Sequence, residues 1–205
     1  MSSRFAKTAI VTVALALVAT SAAAAPPSSR LTGDEGVLSW TIAESGGQVV
    51  IDGSSHKWTV HHEATPAMKP KKTVRSDADG NKVTVVYGAD SVTVTMPKKT
   101  VTHDRGDLWD ADTLDVRLGH IVSQGGSTDI SFDALDPSSG KIYSFDAKTQ
   151  GSEACGTATC RRVMVRLGGM LKLVGPKWEF WFAPSGQLMR FEGPIGDYAS
   201  EGVSR

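Results

Sequence analysis

Residues Lys82–Pro97 read KVTVVYGADSVTVTMP. Val83, Val85 and Tyr87 recur at every second position, then Gly88-Ala89-Asp90 intervene, then Val92, Val94 and Met96 recur the same way. Period-two apolarity on two arms around a short Gly/Asp segment specifies an antiparallel hairpin with one buried face. The same pattern extends in both directions. Gly36–Ala43, Gln48–Asp52 and Lys57–Glu63 alternate on the N-terminal side, with Trp58, Val60 and His62 on one face of the third. Thr128–Leu135 and Lys141–Lys148 flank Asp136-Pro137-Ser138-Ser139-Gly140, a loop with turn chemistry. Cys160–Leu167, Lys177–Ala183 and Gln187–Glu192 complete about ten strands.

One segment departs from period two. Leu114, Leu118, Ile121 and Val122 fall at helical spacing, Asp110 or Asp112 stands where a cap belongs, and Gly125-Gly126 follows. This predicts one short helix near 111–123. Hairpins in sequence make an antiparallel meander. The expected fold is therefore mainly β, a single curved antiparallel sheet or half-barrel of about ten strands with one helix. Residues 36–193 read as one domain, 25–35 as a disordered linker rich in Pro, Ser and Gly, and 194–205 as a flexible tail. Residues 64–76, with two Pro and four basic residues, read as an exposed loop.

The N-terminus has a different character. Arg4 and Lys7 precede an apolar run from Ala9 to Ala19, and Ala22 and Ala24 satisfy a small-x-small cleavage rule. The run is too short to span a bilayer, which needs about 20 apolar residues. Residues 1–24 are read as a signal peptide, which places the protein in the periplasm or outside the cell. No later stretch is apolar enough to span a membrane. The whole chain balances 22 Lys+Arg against 22 Asp+Glu over 205 residues, with 40% hydrophobic residues. Cleavage removes two basic charges, leaving a net of −2. That composition excludes a disordered chain and a basic nucleic-acid binder, so nucleic acid is not an expected partner.

The two cysteines, Cys155 and Cys160, lie on one Gly/Ala/Thr-rich stretch. In an oxidising compartment this reads as a disulfide closing a tight loop. Redox chemistry uses a C-x-x-C spacing, and a zinc site would need two further ligands that are not nearby.

The region from Asp107 to Pro194 carries a recognisable order of short motifs. Asp112-Thr113-Leu114 opens the helical segment, Gly140-Lys141-Ile142-Tyr143 begins a strand, and Gly151-Ser152-Glu153 follows. Trp178-Glu179-Phe180-Trp181-Phe182-Ala183-Pro184-Ser185-Gly186-Gln187-Leu188-Met189-Arg190-Phe191 closes the series. This order resembles a family of exported bacterial β-rich proteins of unknown function, distantly similar to the half-barrel sheets of periplasmic lipoprotein carriers. The resemblance implies a curved sheet and supplies no catalytic residues. The Cys loop and the N-terminal strands depart from it.

Candidate sites follow from side-chain chemistry. Trp178, Phe180 and Phe182 share one face of their strand and Trp181 the other, with Met189 and Phe191 on the next strand. A strand apolar on both faces is buried twice or faces a ligand. These six residues are the expected apolar wall of a ligand site, with Trp181 or Trp178 at its opening. Lys69, Lys71, Lys72 and Arg75 form the densest basic run and are the expected contact for anionic groups. Asp107, Asp110, Asp112 and Asp115 read first as helix-start residues favoured by the dipole, and otherwise as a paired-carboxylate site. His56 and His62 are six apart on one strand, about 20 Å, too far for one metal ion. No phosphate loop, dinucleotide fingerprint, calcium loop or nucleophile elbow occurs, so no cofactor, metal or catalytic residue is expected. The leading expectation is an exported, non-enzymatic binding protein for an apolar or lipidic ligand. A hydrolase using His62 or His103 with a carboxylate, and an envelope structural or interaction protein without a small ligand, are the alternatives.

Overall fold

The hairpin at 82–97 forms as its alternation dictates. In the computed structural model, which describes residues 25, 27–169 and 175–204, β6 (Lys82–Tyr87) pairs antiparallel with β7 (Ser91–Met96). Gly88 N–H closes the turn onto Ser91 O at 2.9 Å. Val83, Val85, Tyr87, Val92 and Val94 are buried, while the interleaved Val86 is half exposed.

Fourteen strand pairings join fifteen strands into one open sheet, and the fifteenth that would close it is not formed. The strands are β1 (Ser29–Gly33), β2 (Gly36–Ser45), β3 (Gln48–Ser54), β4 (Trp58–Ala64), β5 (Pro70–Asp77), β6, β7 and β8 (Lys99–Asp104) in the first half. The second half has β9 (Trp109–Asp110), β10 (Ile130–Asp136), β11 (Lys141–Cys155), β12 (Ala158–Leu167), β13 (Lys177–Phe182), β14 (Leu188–Gly193) and β15 (Gly196–Ala199). Their order is β8-β7-β6-β5-β4-β3-β2-β1-β15-β14-β13-β12-β11-β10-β9, with β9 and β10 parallel and every other pair antiparallel. Two meanders are thus joined at their middle by β1 against β15, the first and last described strands.

The sheet curls until its ends approach, although β8 and β9 do not pair. Val83, Val85, Val92 and Val94 of one end share a buried cluster with Leu108 and with Leu135 of β10 at the other. The ring nitrogen Nε2 of His103 on β8 lies 2.8 Å from Gly140 O at the start of β11. Inside the curl lies α1 (Leu114–Ser123), preceded by a 3-10 turn at Ala111–Thr113. Leu114, Leu118 and Val122, four residues apart, pack into the main core with Phe145, Phe180 and Phe182. Val116 packs instead with Trp40, Val49, Ile51 and Val60. The helix therefore buries two stripes, one against each half of the sheet. It comes so close to the β13–β14 turn that a Cβ built on Gly119 would sit 2.3 Å from Gly186 O.

The helix and all ten expected strands are present, and five further strands are not in the sequence reading. Residues 64–76 are not an exposed loop, because Pro70–Asp77 forms β5 between β4 and β6. The linker assigned to 25–35 contains β1, and the tail assigned to 194–205 contains β15. Both are ordered by pairing with each other in mid-sheet, where Leu31 and Tyr198 are 1% exposed. β8 and the two-residue β9 are the sheet edges. The proposed signal segment 1–24 and the connector residues 170–174 lie outside the described residues. Among the described residues no helix is long and apolar enough to cross a membrane.

Candidate ligand-binding site

Alternation along β2, β4, β11, β13 and β14 sends every second side chain to the inside of the curl. Trp40, Trp58, Phe145, Trp178, Phe180 and Phe191 arrive there and enclose a cavity of about 310 Å³. Their rings meet in pairs: Trp40 with Trp58 at 5.5 Å, Phe145 edge-on to Trp178 at 5.8 Å, and Phe180 against Phe191 at 5.2 Å. The volume is at the lower end of the range for small-molecule sites.

The polar part of the wall comes from the start of the helix and from β5. Arg75, Asp112, Asp115, Asp136 and Ser138 line the same cavity. Arg75 is ion-paired with Asp112 and lies 5.4 Å from the centre of the Trp58 ring. Asp136 accepts hydrogen bonds from the hydroxyls of Ser138 and Ser139 at 2.6 and 2.7 Å. Asp112 Oδ2 is buried without a hydrogen-bond partner. Burial, reinforced by the nearby Asp110 charge, pushes the Asp112 carboxyl upward against the pull of Arg75. Asp115, 8% exposed in the first turn of α1, is pushed up to about 7 by burial. The α1 backbone amides and the Trp40 indole N–H lower it only in part. That N–H points toward Asp115 but falls short of a formed hydrogen bond.

Beside the cavity lies a sealed polar network. Thr73 Oγ1 donates to Asp110 Oδ2, and Tyr87 Oη donates to the same oxygen at 2.7 Å. Asp110 Oδ1 accepts the Asp112 N–H at 2.9 Å, capping the 3-10 turn. His62, directly across from Thr73 on β4, places Nδ1 2.8 Å from Thr73 Oγ1. Since the Thr73 proton goes to Asp110, His62 Nδ1 is the donor in that contact. Burial lowers the His62 pKa, and burial with the Asp110 charge raises that of Tyr87 well above its usual value. The network joins β4, β5 and β6 to β9 where the two sheet ends meet without a ladder.

Trp178, Phe180 and Phe191 therefore stand in the cavity wall. Phe182 does not, because a register shift between Trp181 and Phe182 carries it deeper, where it is fully buried and stacks on Phe180 at 5.9 Å. Trp181 and Met189 are on the other face of the sheet, so Trp181 does not line an opening. Trp181 is 2% exposed against Cys155 and Cys160, and donates from Nε1 to Glu153. Arg162 and Arg190 lie over its ring, 5.2 and 4.5 Å from the centre. The apolar outer face of WEFWF is thus covered by the disulfide, Met189, Val203 and two guanidinium groups. Cys155 and Cys160 are bridged, with Cα atoms 5.8 Å apart, across the β11–β12 hairpin.

The basic run is split. Lys69, Lys71 and Lys72 are exposed, whereas Arg75 turns inward to Asp112. His61 lies outside, with Nδ1 2.7 Å from Asp52 Oδ1 across the β3–β4 pair. Among the described residues no three His, Cys, Asp or Glu side chains converge on a metal position. Sequence reasoning did not gather Trp40, Trp58, Phe145, Asp112, Asp115 and Asp136 into one site. The only local sign was the density of acidic residues at 107–115, which helix capping also explains, and Asp110 does cap.

No family model and no curated protein sequence matches this chain. Among solved structures it is similar to a β-barrel-like protein of a domain of unknown function, DUF1849, from Brucella abortus. The TM-score is 0.54 at 8% identity, over 85% of this chain and 94% of that one. The likeness is one of fold, and it agrees with the resemblance to a β-rich bacterial family of unknown function.

Proposed function

We propose that this chain is an exported, non-catalytic binding protein that holds an apolar small molecule inside the curl of its sheet. The observation that carries the reading is the cavity of about 310 Å³, lined by six aromatic side chains drawn from five strands. Filling it with protein side chains would remove area from water at about 25 cal/mol per Å². A sequence selected only for stability would close it. The buried His62–Thr73–Asp110 group favours binding over hydrolysis, because His62 is 2% exposed and neither it nor Asp110 lines the cavity. Export rests on the signal-like residues 1–24 and on a disulfide suited to an oxidising compartment.

The test is titration of the purified mature protein with an environment-sensitive naphthalene dye and with alkyl alcohols, followed by intrinsic fluorescence. Saturable binding that weakens in Phe191→Ala and Trp178→Ala, with Trp181→Ala unaffected, is the expected result. Binding that is absent, or equally strong in all three variants, refutes the cavity as the site.

A further inference from the structure

The cavity's charges are lopsided. Three carboxyl groups line it, from Asp112, Asp115 and Asp136, against the single guanidinium of Arg75. Arg75 is taken by Asp112, and Asp136 is satisfied by Ser138 and Ser139. Asp115 is different: it is 8% exposed, and among the described residues no basic side chain pairs with it. Asp112 also keeps one buried oxygen unpartnered. A buried carboxyl without a counter-charge is costly unless a cation joins it. The surrounding rings suit such a cation, since indole faces attract ammonium and guanidinium groups. Trp58 already receives one from the protein, with Arg75 5.4 Å from its centre. An anionic head group would meet carboxyls and a guanidinium already engaged, while Lys69, Lys71 and Lys72 stay outside the cavity.

We propose that the cavity selects a ligand bearing an alkyl-substituted ammonium group, its charge facing Asp115 and Asp112 and its alkyl groups against Trp40, Trp58 and Trp178. This deepens the binding reading above and rests on it.

Three probes with ten-carbon chains separate the two claims: decyltrimethylammonium, decanol and decanoate, each below its micellar or solubility limit, measured by calorimetry. The expected order is ammonium tightest and decanoate weakest, with Asp115→Asn weakening the ammonium about tenfold more than it weakens decanol. Affinity for the ammonium should rise from pH 5 to pH 8 as Asp112 and Asp115 ionise, and decanol should show no trend. The groups facing them are Arg75 of β5, Asp110 of β9, Asp136 of β10, Tyr87 of β6 and the Trp40 N–H of β2. Because the pH profile is read on unmutated protein, it stands even where a variant folds poorly. Decanoate or decanol binding as tightly as the ammonium overturns the charge preference and leaves the binding reading standing. Binding of none of the three overturns both. Capture of dihexanoyl phosphatidylcholine alongside decyltrimethylammonium identifies a lipid head as the source, and capture of the ammonium alone identifies a free amine; either supports the proposal.

Discussion

Replacing Asp115 by Asn should stabilise this protein at alkaline pH and leave it nearly unchanged at acidic pH. The carboxyl is 8% exposed in the first turn of α1, and burial raises its pKa from 3.8 to about 7. Between those values the folded chain holds a proton that the unfolded chain has lost. Stability from this group is complete below about pH 4, declines as pH rises toward 7, and is flat above. A shift of about 3 units corresponds to about 4 kcal/mol, an upper bound for a site that opens onto a cavity. Asn is nearly isosteric and does not ionise. At pH 8 we expect Asp115→Asn to be more stable in urea unfolding by about 1–4 kcal/mol, and at pH 3.5 to match the parent within about 0.5 kcal/mol. The difference between the proteins is the quantity to follow. Other titrations, including that of buried His62, whose lowered pKa costs stability as pH falls, are common to both and cancel. Equal destabilisation at the two pH values would show that Asp115 is held by its neighbours as a well-satisfied carboxylate, and the reasoning about an uncompensated charge would be wrong.

Trp181→Ala should cost about 3–5 kcal/mol in urea unfolding, as a fully buried aromatic does, while leaving ligand titrations unchanged. Mutating Cys155 and Cys160 together to Ala should cost about 2 kcal/mol, the loop-closure value for so short a ring, and thiol labelling of denatured, unreduced protein should find no free cysteine. Asp110→Asn should cost about 2–4 kcal/mol, because Thr73 and Tyr87 both donate to one of its oxygens; a loss below about 0.5 kcal/mol would mean the sheet ends are held by their other contacts. Gly53→Ala should displace Trp40, since a Cβ there would lie 1.9 Å from the Trp40 ring across the β2–β3 pair. The expected readout is weaker probe binding and an altered near-ultraviolet dichroism, and an unchanged spectrum would exclude Trp40 as the rigid wall.

Period two was readable wherever one face of a strand is buried and the other wet. It places β6 and β7 to within one residue because Val83, Val85, Val92 and Val94 carry the signal alone. It failed where the pattern is broken by chemistry. β5 begins at a proline and carries Lys71 and Lys72 in succession, so its inward residues Thr73 and Arg75 looked like loop. β1 and β15 are short and stabilised by each other across the length of the chain, a pairing that no local window contains. The alternation of WEFWF leaves open what covers its second face, and Trp181 does not line an opening. The answer lay in the disulfide hairpin and in Arg162 and Arg190, whose aliphatic stems and planar ends can cover an indole.

The aspartates show why the site itself was less legible than the sheet. Thr73 and Arg75, two apart on β5, face Asp110 and Asp112, two apart at the start of the helix. The first pair holds the seam between the sheet ends, and the second borders the cavity. A single acidic motif thus serves two purposes, and helix-start statistics describe neither. Because the 3-10 turn from Ala111 to Thr113 is capped by Asp110, the position of Asp112 in the cavity depends on the seam being intact. Loss of Asp110 should therefore disturb both stability and binding, whereas loss of Asp115, which contributes to no seam contact, should separate them. That asymmetry follows from which side chains each carboxyl touches, and measuring it would divide an acid that holds the seam from one that serves the proposed ligand.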